Sequence, residues 1–185
     1  MYKQIIFALW VFIPAGLANA TPVFLAKFRV LKFLDKPMDF GKKLRGKPIL
    51  GANKTWRGLL GAMVVSSLVF WLQRFAYMHH HWAITASRGI NYAHLNPWVV
   101  GPAFGFGALV GDAIESFFKR QIGIESGHTW FPFDQIDYVI GGLLAISPFI
   151  RMSFYEYLFI LLVWFLLHLV TVWVGYLTGF RERPI

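Results

Sequence analysis

Five stretches of the chain, roughly residues 4–26, 57–75, 97–118, 134–150 and 154–179, are apolar over nearly their whole length. About 20 such residues in a helix match the thickness of a bilayer's hydrocarbon core. Five of them in 185 residues leave little chain from which to build a soluble core. In lipid, each backbone N–H and C=O has to be satisfied within its own segment, which favours helices over open sheets. The expected fold is therefore an all-α membrane protein, one domain over residues 1–185, with about five transmembrane helices. Composition agrees: 15% of residues are charged and 57% hydrophobic, whereas an ordinary soluble domain carries about 25% charge. The absence of Cys excludes a disulfide scaffold, a thiolate metal site and a Cys nucleophile. The first span has a signal-like start, but Pro14, Asn19 and Pro22 and the lack of a clear cleavage site favour a retained helix.

The few charges are unevenly placed. Ten of the 18 Lys and Arg lie from Lys27 to Arg57, against only Asp35 and Asp39. Lys and Arg concentrate in cytoplasmic loops. Placing loops 27–56 and 119–133 in the cytoplasm puts fourteen bases inside and leaves Lys3, Arg74, Arg88 and Arg151 outside. The topology expected is N-terminus out and C-terminus cytoplasmic, a multi-pass protein of the cell membrane. A basic loop at a membrane also suits anionic lipid or nucleotide phosphate.

The acids carry the chemistry. Asp112 and Glu115 are three apart near the end of the third span, and Asp134 and Asp137 are three apart at the start of the fourth. Residues three or four apart share a helix face, which also takes in Ser116 and Lys119. Carboxylates beside hydrocarbon are costly and usually serve a function. All four converge on one side of the membrane, where hard oxygen donors suit Mg²⁺ and its phosphate ligands. Acids for a metal beside bases for phosphate is what phosphoryl or nucleotidyl transfer needs. Gly101, Gly105, Gly107 and Gly111, with Gly141 and Gly142, allow close helix approach.

Other motifs are weaker. GFGALVG (105–111) has one residue too many for a dinucleotide fingerprint, and in GKPILGANKT two residues separate Gly51 from Lys54 where a phosphate loop has none. His79, His80 and His81 lie in the loop placed outside, and adjacent side chains do not readily share one ion. His128 falls between the acidic pairs; His168 is the lone His of the fifth span, suited to a hydrogen bond between helices.

Four segments together resemble the CDP-archaeol synthase family, small integral-membrane members of the CTP-dependent lipid-phosphate cytidylyltransferases. They are PAGLANATPV (14–23), DFGKKLRGKPILGANKTWRG (39–58), GALVGDAIESFFKR (107–120) and PFDQIDYVIGG (132–142). The resemblance implies attack of a lipid phosphate on the α-phosphorus of CTP, giving a CDP-lipid of archaeol or diacylglycerol type and pyrophosphate. It implies a catalytic set of Asp112, Lys119, Asp134 and Asp137, with Asp112, Asp134 and Asp137 holding Mg²⁺. Asn19, Lys54, Thr55, Arg57, Ser116 and Arg120 would bind substrate. Asn53 stands where many family members carry His. The partners expected are CTP, the lipid phosphate and bilayer lipids, not nucleic acid; the sequence leaves the oligomeric state open.

Two other classes compete: a small cation transporter, and a non-catalytic membrane subunit. A transporter needs polar groups along its path, often near the midplane. Here the acids sit at the ends of spans three and four, with none in span two. A reporter fused after Ile185 should read as cytoplasmic; an external signal there would overturn the sidedness.

Overall fold

The computed structural model describes residues 2–28 and 30–178. The expected end of the fifth span and the terminal bases Arg181 and Arg183 lie outside the described residues, as does Arg29. Six α-helices follow in order: α1 (Tyr2–Lys27), α2 (Trp56–His79), α3 (His81–Ser87), α4 (Pro97–Ile122), α5 (Phe133–Ile146) and α6 (Phe154–Leu177). Four of them, α1, α2, α4 and α6, are long and apolar enough to cross a membrane.

The fourth expected span differs. A helix over 134–150 was anticipated, but α5 ends at Ile146 after 14 residues. At 1.5 Å per residue that is about 21 Å, short of the roughly 30 Å of hydrocarbon. The chain continues as turns: Pro148 to Met152 line a cavity with Arg88 and Asn91, at the end of the molecule opposite the start of α5. Arg74 reaches the same end, donating to the Ala93 carbonyl at 3.2 Å. Three of the four bases assigned to one face of the membrane thus share that end.

The core is built on α1. Phe12 is fully buried and meets Phe104 of α4, Tyr138 of α5 and Trp164 of α6, with ring centroids 5.4–6.3 Å apart. Trp164 also donates its indole N–H to the Ala8 carbonyl at 2.9 Å, and its ring occupies the space above Gly16. Only Ile160, Trp164 and Val172 of α6 are buried. Its Leu158, Leu162, Leu166 and Val170 recur every four residues, each about half exposed. Such a stripe on a helix edge faces lipid rather than water.

α4 uses its two small-residue faces for two neighbours. Gly101 and Gly105 lie against the α2 backbone at Ser67 and Ala62. Gly107 and Gly111 lie against α5 at Gly141 and Asp137. Backbones can come this close only where no Cβ intervenes.

The basic loop is shorter on regular structure. It holds one 3₁₀ turn (Lys32–Leu34) and a small antiparallel hairpin, β1 (Lys43–Leu44) paired with β2 (Lys47–Pro48). Positive φ at Arg45 (51°) and Gly46 (82°) forms the two-residue turn of this hairpin. The hairpin rests on the end of α4: Gln121 donates to the Pro48 carbonyl at 3.2 Å and Lys47 donates to the Gln121 carbonyl at 2.5 Å.

A side chain at position 141 would collide with the Gly107 carbonyl and stand 2.8 Å from the Gly111 Cα. Overpacking usually costs about 1–3 kcal/mol, and more where backbone is struck. Gly141→Leu is therefore expected to lower the unfolding midpoint in detergent sharply, measured by thermal scanning with size-exclusion recovery. A wild-type midpoint would contradict the α4–α5 contact.

Candidate active site

Three carboxylates converge where α4 meets α5. Asp112, Glu115 and Asp137 each offer an oxygen, and these oxygens all lie within 4.8 Å of one another. The local cause is Gly111: a Cβ there would strike the Asp137 carbonyl, so its absence lets α5 bring Asp137 beside Asp112. Glu115 lies one turn further along the same α4 face. It is buried, and its Oε1 has no hydrogen-bond partner.

Two ammonium groups offset this charge. Lys54 Nζ donates to both oxygens of Asp112 at 2.7 Å. Lys119 Nζ donates to Asp134 at 2.7 Å and stands 3.6 Å from Glu115, in ion-pair range but too far for a hydrogen bond. Four carboxylates against two ammonium groups leave a formal charge of −2 for this cluster.

The resemblance groups Asp134 with Asp112 and Asp137 as a metal ligand. Its carboxylate accepts from Lys119 and, at 2.7 Å, from the Trp130 backbone N–H. In the first turn of α5 it also faces the positive end of the helix dipole. Among the described residues, Glu115 fills the third position of the carboxylate group. The i, i+3 spacing to Asp112 already placed Glu115 on that face, although the resemblance gave it no role.

The remaining expected residues are spread around this centre. Lys119 and Arg120 belong to α4 rather than to a loop, because the helix continues to Gly123, whose φ of 91° closes it with a left-handed cap. Arg120 is buried with its Nε unpartnered, and its Cδ lies 3.9 Å from where a Cβ on Gly51 would sit. Ser116 is buried on the same helix. Thr55 caps α2, its hydroxyl accepting from the Gly58 N–H at 3.2 Å. Arg57 is buried and pairs with Asp35 at 3.0 Å rather than with the carboxylate group. Asn19 is half-buried in α1, away from any hydrogen bond to these residues. Asn53 donates to the Ser126 hydroxyl at 3.0 Å, tying the basic loop to the α4–α5 connection. His79 stacks on Phe75, 4.2 Å between centroids, and is not part of a metal-competent group among the described residues.

Asp39 is the residue that sequence reading passed over. It is buried in the basic loop and accepts from Gly41, Leu50 and Gly51 N–H groups at 2.8–3.2 Å. Burial acts to raise its pKa, but the backbone donors together outweigh that and hold the carboxyl below its ordinary value. The signal was available in the Asp39-x-Gly41 spacing of an Asx turn. Asp39 closes the loop from Gly41 to Gly51, while Met38 N–H donates to the Lys54 carbonyl at 2.8 Å. Together these bonds set where Lys54 begins its reach to Asp112.

A sequence model of the family described as CarS-like, CDP-archaeol synthase, matches residues 1–185. The chain belongs to the CDP-archaeol synthase family. The CDP-archaeol synthase of Thermococcus gammatolerans is 33% identical over 183 residues, covering 98% of this chain and 97% of the relative. That of Pyrococcus horikoshii is 32% identical over 183 residues, covering 98% of both. The solved structure of an intramembrane enzyme for archaeal membrane lipid biosynthesis is also similar. It is 31% identical, with a TM-score of 0.67 over 89% of this chain and 91% of that one. The member described here is a membrane protein with the α4–α5 carboxylates at one end of its bundle.

With a depressed folded-state pKa, Asp39 stabilises the loop at every pH above the unfolded carboxylate value of about 3.9. That contribution is lost as pH falls through the lower folded value. At neutral pH, Asp39→Asn should make trypsin cleavage at Lys42–Lys47 about tenfold faster, as expected for lost charge-assisted bonds. Unchanged cleavage would mean that Asp39 does not hold the loop.

Proposed function

We propose that this member of the CDP-archaeol synthase family transfers CMP from CTP to the phosphate of a membrane lipid, releasing pyrophosphate and a CDP-activated lipid. The observation that carries this reading is the group Asp112, Glu115 and Asp137 with Lys54 seated on it. An oxygen of the lipid phosphate attacks the α-phosphorus of CTP. A new P–O bond forms as the bond from that phosphorus to the bridging oxygen breaks, and pyrophosphate leaves with the electron pair. A phosphate monoester is already anionic at neutral pH, so no side chain has to remove a proton from the nucleophile.

The donor set fits a divalent cation: hard oxygens, a formal charge of −2, and one buried carboxylate oxygen with no hydrogen-bond partner. Asp112, Glu115 and Asp137 would hold Mg²⁺, with Asp134 beside them through Lys119. Bound there, Mg²⁺ would supply charge neutralisation on the phosphate oxygens. The protein's own groups do the rest. Lys54, on a flexible stem, is placed to exchange Asp112 for a phosphate oxygen. Lys119 and Arg120 offset charge developing on the leaving group. Thr55 and the Arg57–Asp35 pair hold the start of α2, and so the end of the loop that carries Lys54. Ser116 lies on the α4 face between Asp112 and Lys119, in reach of the phosphates. Asn19 is assigned to the substrate side of α1 by the family pattern alone.

The site end of the bundle faces the cytoplasm in this reading, where CTP is available, while the lipid tails stay in the bilayer. The fourteen-to-four division of bases supports that sidedness.

Purified protein given radiolabelled CTP, Mg²⁺ and lipid phosphates with isoprenoid ether or diacyl tails should yield lipid-linked CMP and pyrophosphate. Asp112→Asn and Lys54→Met are each expected to lower kcat by about 100-fold or more, and chelation of divalent cations should stop the reaction. Wild-type turnover by Asp112→Asn would overturn the assignment of the carboxylate group.

A further inference from the structure

We propose that the end of the bundle opposite the carboxylates carries a second site, which binds the phosphate headgroup of an anionic lipid from the other leaflet. Two adjoining cavities of about 440 Å³ each lie there and share Phe7, Arg88 and Glu156. One extends between α1 and the start of α6, past Phe159 and Leu162. The other extends under the turns before α6, to Arg151.

Two guanidiniums face this space without a carboxylate partner. Neither Arg88 nor Arg151 forms a salt bridge among the described residues. Arg88 is held by its surroundings instead: it caps α3 in a left-handed conformation (φ 45°), and its guanidinium lies 5.5 Å from the centre of the Phe7 ring. That contact orients the group and leaves its N–H donors available. The one carboxylate in the lining is Glu156, whose Oε2 already accepts from the Ser153 N–H and hydroxyl in the α6 capping box. The cavity therefore has two cations to one anion that is itself engaged.

The apolar walls decide for a lipid over a free anion. Leu158 and Leu162 line the cavity and are 46% and 52% exposed, so the wall runs without a break onto the lipid-facing stripe of α6. A headgroup phosphate between Arg88 and Arg151 would lay its tails along this stripe. Arg is suited to such bidentate capture of phosphate. The site rests on residues that take no part in the proposed transfer.

The test is native mass spectrometry of the intact protein released from mixed vesicles of phosphatidylglycerol and phosphatidylcholine. Wild type should retain phosphatidylglycerol selectively. Arg88→Gln with Arg151→Gln should retain about thirtyfold less, since each base near a membrane surface contributes about 1 kcal/mol toward an anionic lipid. Turnover of CTP should be unchanged, which also shows that the variant is folded. Leu162→Trp, which fills the cavity and keeps both arginines, should likewise displace the lipid. Inorganic phosphate at millimolar concentration should not compete. Equal retention by wild type and the double variant, or full competition by inorganic phosphate, would overturn the proposal.

Discussion

Three carboxylate oxygens within 4.8 Å of one another, next to a bilayer, repel and are poorly solvated. The architecture around them follows from that constraint. α4 and α5 touch through glycines, so Asp112 and Asp137 are joined by backbone contact that a side chain would prevent. Lys54 arrives from a distant loop to sit on Asp112, and Lys119 from the same helix serves Asp134 and Glu115. Without these cations the like charges of the cluster would push α4 and α5 apart. In the proposed reaction, a divalent ion and a triphosphate would enter this group by exchange of partners with the tethered ammonium groups rather than by rebuilding the fold.

The basic loop is the second half of that arrangement. It has almost no regular structure, yet it is anchored at both ends and in its middle. Asp39 gathers three backbone N–H groups, the hairpin rests on the end of α4, and Asn53 is bonded to Ser126. A loop carrying so many like charges extends itself unless such bonds hold it. Here one buried acid and a few backbone contacts keep it over the carboxylates. The two acids of the loop thus have separate uses, Asp39 to shape it and Asp35 to pair with Arg57.

The bundle divides its polar chemistry between its ends. One end has acids and bases in close contact. The other has arginines facing apolar walls, and the aromatic packing around Phe12 lies between them. α6 is joined to the rest through Trp164 and a few aliphatic contacts, and most of its surface is left to lipid. Membrane helices associate through shape and hydrogen bonds rather than exclusion of water, which accounts for the weight carried by one indole N–H and two glycine faces.

Four motif segments carried the resemblance to the family. Periodicity and charge in the amino-acid sequence were enough for the membrane class, the helices α1, α2, α4 and α6, and the clustering of acids at one face. These depend on local composition and on spacings of three and four residues, which a chain displays in one dimension. The tertiary structure decided what depends on neighbours from elsewhere in the chain. The apolar run 134–150 suggests a full helix, but the helix stops at Ile146 and turns follow it. Lys119 and the Trp130 N–H claim Asp134, while Glu115, given no role by the resemblance, is the buried acid grouped with Asp112 and Asp137. Asp39 is one acid among many bases in sequence, and its three backbone donors exist only once the loop has closed. Helical spacing sets which residues share a face. Which of them meet one another across helices is set by where two backbones can touch, and here that is at Gly111.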